Sequence, residues 1–237
     1  MRRGPQALWL VRHGESQGNL LREAAERESR HEIGLPTRDA DVPLSDRGEE
    51  QARAFGRWLA AQPAHLLPTT LLVSPYLRAR ETARLALAAG GDVLARLPTD
   101  VDERLRDREM GVLEGLTWDG IVAEHPAEAE RKRRLGKFYH RPAGGESWAD
   151  ICLRLRSLYA DVARDLAGER VLVVAHDAVI QLTRVILEDL DEETAIRISD
   201  ATPYGNAALT AYELEADGYR LTTYNEEVAA LKPPRGA

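Results

Sequence analysis

The sequence predicts an α/β fold, a three-layer α/β/α sandwich with a mostly parallel central sheet and helices on both faces. Apolar runs without polar alternation stand at 8–11 (LWLV), 70–73 (TLLV) and 171–175 (VLVVA), the pattern of strands covered on both sides. Segments of helical spacing separate them, and right-handed crossovers between parallel strands place such helices on both faces. Near the end, candidate strands at 207–214 and 219–224 flank Asp217-Gly218, a hairpin signal that puts an antiparallel pair near one edge.

In chain order, 8–11 is the first central strand. Residues 45–61 follow as a helix with Ala52, Phe55 and Leu59 on one face, Ser45 or Asp46 as its N-cap, and Glu49 and Glu50 near the positive end of its dipole. The strand at 70–73 leads into a helix at about 76–89. The longest helix spans 147–166, with Trp148, Ile151, Cys152, Leu155, Leu158, Tyr159 and Val162 at helical spacing, so Cys152 reads as core. After the strand at 171–175, a helix at 177–188 aligns Val179, Leu182, Thr183 and Ile186. Two segments interrupt the alternation: 20–43, charged and carrying Gly34-Leu35-Pro36, and 116–146, with Trp118, the basic run Arg131-Lys132-Arg133-Arg134, and Phe138-Tyr139. Both are expected to fold over a site as lids, and the tail at 232–237 is expected to be mobile.

A chain of 237 residues that is 43% hydrophobic and 30% charged has an ordinary globular balance. Its formal charge of -7 opposes general binding to nucleic acid or anionic membrane, so an anionic ligand needs a local basic pocket. The one cysteine excludes an internal disulfide and a C-x-x-C metal site. The apolar stretch from Ala7 to Val11 is too short for a signal segment and ends at Arg12, and no later run has membrane-spanning length. A soluble, cytoplasmic protein is the expectation; nothing in the sequence fixes an oligomeric state.

Ligands of open α/β sheets bind at the carboxyl ends of the strands, so the residues after each run are informative. The first run ends in Arg12-His13-Gly14, the second leads to Ser74-Pro75-Tyr76-Leu77-Arg78, and the third to His176-Asp177. Two arginines and two histidines thus converge on one sheet edge. Guanidinium groups grip phosphate oxygens in pairs, and a neutral imidazole can attack phosphorus to form a covalent intermediate. Gly14 would let the backbone approach the phosphate closely.

The ordered set RHGES, Asn19, SPYLRARETA, LRDREMGVLEG, GGES and VVAHD resembles the histidine phosphatase superfamily, in its phosphoglycerate-mutase-like branch, from about residue 8 to about 210. The resemblance implies one domain over 1–237 and a nucleophilic His13 that becomes phosphohistidine. It makes Arg12, Arg78 and His176 the other catalytic members of the phosphate pocket and Asn19 a phosphate contact, with no metal and no cofactor. In LRDREMG, Asp107 stands where the family carries its glutamate acid, with Glu109 as a neighbouring carboxylate. Asp177 follows the distal histidine where this branch has glycine, and the acid-phosphatase branch uses an aspartate there as proton donor. Asp107 is the favoured acid and Asp177 the alternative.

The implied activity is metal-independent hydrolysis of small phosphate monoesters, with a small phosphorylated metabolite as partner. A phosphoglycerate mutase and a non-catalytic phosphate-recognition module are the alternatives. In mutase-like enzymes basic residues near 131–134 help hold the substrate carboxylate; otherwise the run reads as a solvated helix face.

Overall fold

The computed structural model describes residues 4–201 and 203–228. Six strands form one sheet: β1 (Ala7–Arg12), β2 (Thr70–Val73), β3 (Thr99–Val101), β4 (Arg170–Ala175), β5 (Leu209–Leu214) and β6 (Tyr219–Glu226), in spatial order β3-β2-β4-β1-β5-β6. The four strands from β3 to β1 are parallel, whereas β5 and β6 run antiparallel at the other edge. The three apolar runs are therefore neighbours at the centre, and the hairpin lies at the edge where its turn signal put it.

Alternation along the central strands explains why these runs are apolar throughout. Leu8, Leu10, Val171 and Val173 pack with Ile151, Leu155, Val179 and Leu182, from α6 (Trp148–Asp165) and α7 (Asp177–Leu187). Val11, Leu172 and Val174 pack with Phe55, Leu59, Ala79 and Ala83, from α2 (Asp46–Ala60) and α3 (Leu77–Ala89). Each buried Val or Leu contributes about 1.5–3 kcal/mol relative to exposure. Three layers follow directly, with Cys152 buried in the first of the two cores.

The differences from the sequence expectation share a cause. Strand β3 has no apolar run and all three of its residues are exposed, held by pairing with β2. Helix α8 (Glu192–Ala201) buries only Ala195, so no periodicity marks it. The segment 20–43 includes most of α1 (Gln17–Arg27), which starts at a Ser16 capping box and buries only Ala25. Segment 116–146 contains α4 (Trp118–Glu124) and α5 (Pro126–Tyr139), the latter kinked at Gly136 with φ of 76°. The expected mobile tail at 232–237 lies outside the described residues. Among the described residues, no helix is long and apolar enough to cross a membrane.

Candidate active site

Strand register brings the two motif histidines together. Arg12 pairs with Ala175 across β1 and β4, and the His13 amide donates to the Ala175 carbonyl at 2.9 Å. His13 and His176 therefore leave adjacent strands side by side, with ring centroids 5.2 Å apart at 60°. Ser74, just past β2, donates its amide to Val174 at 3.0 Å and sets its hydroxyl 2.7 Å from His176 Nε2. Arg78 follows in the first turn of α3, and Asp177 is the first residue of α7.

A cavity of about 320 Å³ at this edge is lined by residues including Arg12, His13, Asn19, Arg78, Asp107 and Asp177. Thus the motif residues scattered through the sequence share one wall, while His176 is fully buried beside them. Arg22 and Asp39 join the lining from the segment expected as a lid.

His13 Nδ1 lies 2.7 Å from the Gly14 carbonyl, so Nδ1 carries the hydrogen and Nε2 the lone pair. Burial, His176, Arg78 and Arg12 hold its pKa well below the ordinary 6.5, which keeps the ring neutral. His176 is also lowered, by burial above all, against the opposing pull of Asp107. With the Ser74 hydroxyl donating to Nε2, the hydrogen of neutral His176 sits on Nδ1. That atom faces the Asp107 carboxylate, 3.2 Å from Oδ2.

The two arginines are held by different means. Arg12 Nη1 donates to the Tyr204 carbonyl, while its buried Nε has no partner among the described residues. Burial lowers the Arg12 pKa, with Asp177 and Asp107 opposing. Arg78, only 5% exposed at its side chain, bridges Asp107 Oδ2 at 3.0 Å and Asp39 Oδ2 at 2.9 Å.

Asp107 is 27% exposed at its side chain. Burial raises its pKa, but His176, Arg78 and the Arg108 amide, 2.8 Å from Oδ1, prevail and hold the carboxyl well below the ordinary range. Asp177 differs: burial raises its pKa despite Arg12 and a 3.0 Å hydrogen bond from Gln181. Glu109 is turned to Tyr76, whose hydroxyl donates to it at 2.9 Å, and does not line the cavity.

The loop carrying Asp107 is pinned by the GGES segment. Glu146 accepts from Arg106 at 2.6 Å, from Arg154 at 2.9 Å and from the Glu109 amide at 3.2 Å. Arg154 in turn donates to the Asp107 carbonyl at 3.2 Å. A Cβ on Gly145 would stand 2.6 Å from the Glu109 carbonyl, so glycine is what lets the two segments meet.

Asn19 spends its Oδ1 on the Ser16 amide at 3.0 Å as part of the α1 capping box, and Asn206 reaches the same oxygen at 3.3 Å. Its cap role leaves the Nδ2 hydrogens for a ligand. Gly14 has a reason other than the close phosphate approach expected of it: a Cβ there would meet the Gly48 carbonyl at 2.4 Å, so the glycine admits the start of α2. The basic run is turned elsewhere, with Arg131 on Glu128 at 3.1 Å, Arg133 on Glu130 at 2.6 Å and Lys132 over Trp118 at 4.5 Å. None of residues 131–134 lines the cavity.

Sequence reasoning missed Asp39, Ser74, Tyr204, Glu146 and Asn206 as parts of the site. Ser74 and Glu146 lay inside quoted motifs, whereas Asp39, Tyr204 and Asn206 carry no local signal.

The fold is that of phosphoglycerate-mutase-like histidine phosphatases. The alpha-ribazole phosphatase of Shigella flexneri superposes with a TM-score of 0.74 over 93% of this chain and 96% of that one, at 23% identity. The mycobacterial glucosyl-3-phosphoglycerate phosphatase solved with VO3 superposes with a TM-score of 0.69 over 93% and 99%, at 28% identity. In sequence, the 2,3-bisphosphoglycerate-dependent phosphoglycerate mutase 2 of Gloeobacter violaceus is 32% identical over 232 residues, covering 96% of this chain and 94% of that one. Residues 8–227 match the model of the histidine phosphatase superfamily (branch 1), and the chain is an enzyme belonging to that family.

Proposed function

We propose that this protein is a phosphatase that hydrolyses small phosphate monoesters of metabolites through a phosphohistidine on His13, without metal or cofactor. The observation that carries the reading is the state of His13: neutral, fixed through Nδ1, with its Nε2 lone pair at a cavity flanked by Arg12 and Arg78. In the first half-reaction Nε2 attacks phosphorus, the ester P–O bond breaks, and Asp107 gives its proton to the leaving alcohol. In the second, Asp107 takes a proton from water as its oxygen attacks phosphohistidine, releasing inorganic phosphate. Arg12, Arg78, Asn19 and His176 Nδ1 supply the donors that stabilise the transferred charge.

Asp107 is held ionised by Arg78 and His176, which face it. A bound phosphate takes those partners and adds negative charge beside the carboxyl, so the acid acquires its proton as substrate binds. The already raised Asp177 favours a second assignment, with that residue as donor.

The relatives' names favour transfer to glycerate as a second reading. Against it, the basic run is engaged on the surface, and the adjoining cavity is lined by Glu32, Asp39 and Glu114 with Arg38. Such a wall suits a leaving group without a carboxylate. A lone cysteine, buried and unable to form an internal disulfide, fits the cytoplasm we propose as its location.

The test is phosphoenzyme trapping with a labelled ester. Acid-labile label on His13, absent in His13→Ala, with release to water, is the expected result. Release to glycerate would establish the mutase, and tight phosphate binding without label would establish a recognition module.

A further inference from the structure

We propose that Asp39 is an internal occupant of the phosphate site, a carboxylate forked onto Arg78 that substrate must displace and that selects against anionic leaving groups. This rests on the phosphatase reading above. Arg78 Nη1 donates to Asp39 Oδ1 at 3.3 Å and to the Asp39 carbonyl at 2.6 Å, while Nη2 donates to Asp39 Oδ2 at 2.9 Å. Two carboxylate oxygens on the two terminal nitrogens reproduce the paired grip that a guanidinium makes with phosphate. Arg78 is buried and shares Nη2 with Asp107, so no free pair of donors remains on its outer edge for an arriving phosphate.

Exchange is feasible because Asp39 is held lightly. Its side chain is 30% exposed, it opens the short 3₁₀ turn Asp39–Asp41, and neither Asp39 nor any neighbour in that turn is buried. The carbonyl contact to Nη1 is independent of the carboxylate, so the turn stays tethered while the side chain rotates away. A phosphate dianion brings more charge to the fork than a carboxylate and wins the exchange; a weaker anion does not.

Where Asp39 goes sets the selectivity. It stands on the wall common to the phosphate cavity and the adjoining cavity of about 300 Å³, which also holds Leu35, Thr37 and Glu114. A displaced Asp39 stays beside the space open to the ester's leaving group. An anionic leaving group meets a second negative charge there, whereas a neutral or cationic one does not.

The experiment compares wild type with Asp39→Asn, which keeps size and hydrogen bonding but removes the charge. Inorganic phosphate is titrated calorimetrically, a readout that needs no turnover. Tightening of at least about tenfold is expected, equivalent to about 1.4 kcal/mol. Across esters, kcat/KM for 3-phosphoglycerate is expected to rise at least fivefold more than for glycerol phosphate. Unchanged or weaker phosphate binding would overturn the occupant role, and an equal change for both esters would overturn the selectivity. Should the variant fail to fold, a wild-type crystal soaked in vanadate decides: Asp39 still forked on Arg78 refutes the proposal. Failure of His13 labelling in wild type would overturn the phosphatase reading while leaving the phosphate titration interpretable.

Discussion

Glu146→Gln is the substitution whose consequences the structure specifies most fully. The wild-type carboxylate accepts from Arg106, Arg154 and the Glu109 amide, and the Glu146 and Arg154 side chains are only 12% and 10% exposed. Glutamine keeps one acceptor but turns an amide donor toward a guanidinium. Breaking a buried pair costs about 3–5 kcal/mol. Arg154 retains the Arg104 and Asp107 carbonyls, which reduces the loss to about 2–3 kcal/mol. For a chain of this size that lowers Tm by about 4–12 °C. The kinetic effect acts through Asp107, whose carbonyl Arg154 holds, and a shift of about 1 Å costs on the order of 100-fold. An alkyl phosphate needs the proton from Asp107, whereas p-nitrophenolate leaves without one. Rapid-quench measurement of phosphoenzyme formation is therefore expected to show about 30–100-fold loss with glycerol phosphate and less than about threefold with p-nitrophenyl phosphate. Equal losses for both esters would refute the positioning argument, as would a lowered Tm with unchanged rates.

Two further perturbations test the protonation states. His13 and His176 have folded pKa values below the ordinary 6.5, so the unfolded chain binds more protons as pH falls through that value. Stability is then fully present above the unfolded value and is lost as pH falls toward the folded ones. Urea midpoints are expected to drop between pH 7.5 and 5.5, and to drop less in His13→Gln; a pH-independent midpoint would contradict the assignment. Asp107, also lowered in the fold, acts in the same direction over a lower window: its contribution is fully present above the ordinary carboxylate range and is lost only as pH falls below it. For the choice of acid, Asp107→Asn is expected to slow alkyl-ester cleavage by about 100-fold or more and Asp177→Asn by less than tenfold. The reverse order would transfer the role to Asp177.

What the sequence shows and what it hides follow from how each residue reaches the site. Arg12 ends a strand, and His13 and His176 sit one step beyond strands, whose apolar runs are unmistakable, and a sheet edge converts strand ends into neighbours. Arg78 and Asp177 open helices that follow those strands, so the same logic places them. Asp39 arrives on a three-residue turn, Asp39–Asp41, in which no position is buried and no periodicity points inward, and its role exists only because Arg78 is opposite. Tyr204 contributes a carbonyl, which has no sequence signature at all. Glu146 was visible in GGES, but its partners Arg106 and Arg154 lie 40 and 8 residues away, and only the packed structure joins them. Strand β3 and helix α8 were hidden for a related reason: neither buries enough apolar surface to leave a pattern.

The cavity sets Arg12, Arg22 and Arg78 against Asp39, Asp107 and Asp177, so its formal charges balance with both histidines neutral. A phosphate dianion cannot enter this arrangement without upsetting it. Two responses restore the balance: the Asp39 carboxylate withdraws toward solvent, and Asp107, deprived of Arg78 and His176, takes up a proton. The second response ties acid formation to substrate binding, so the group is charged when the site is empty and protonated when an ester is in place. Phosphate binding must then draw protons from solution near neutral pH. Calorimetric titrations with inorganic phosphate at pH 7.5 in buffers of different ionisation enthalpy are expected to show net uptake approaching one proton per site, abolished in Asp107→Asn. Binding without uptake would mean that Asp107 remains ionised in the complex, and the leaving oxygen would have to receive its proton from Asp177.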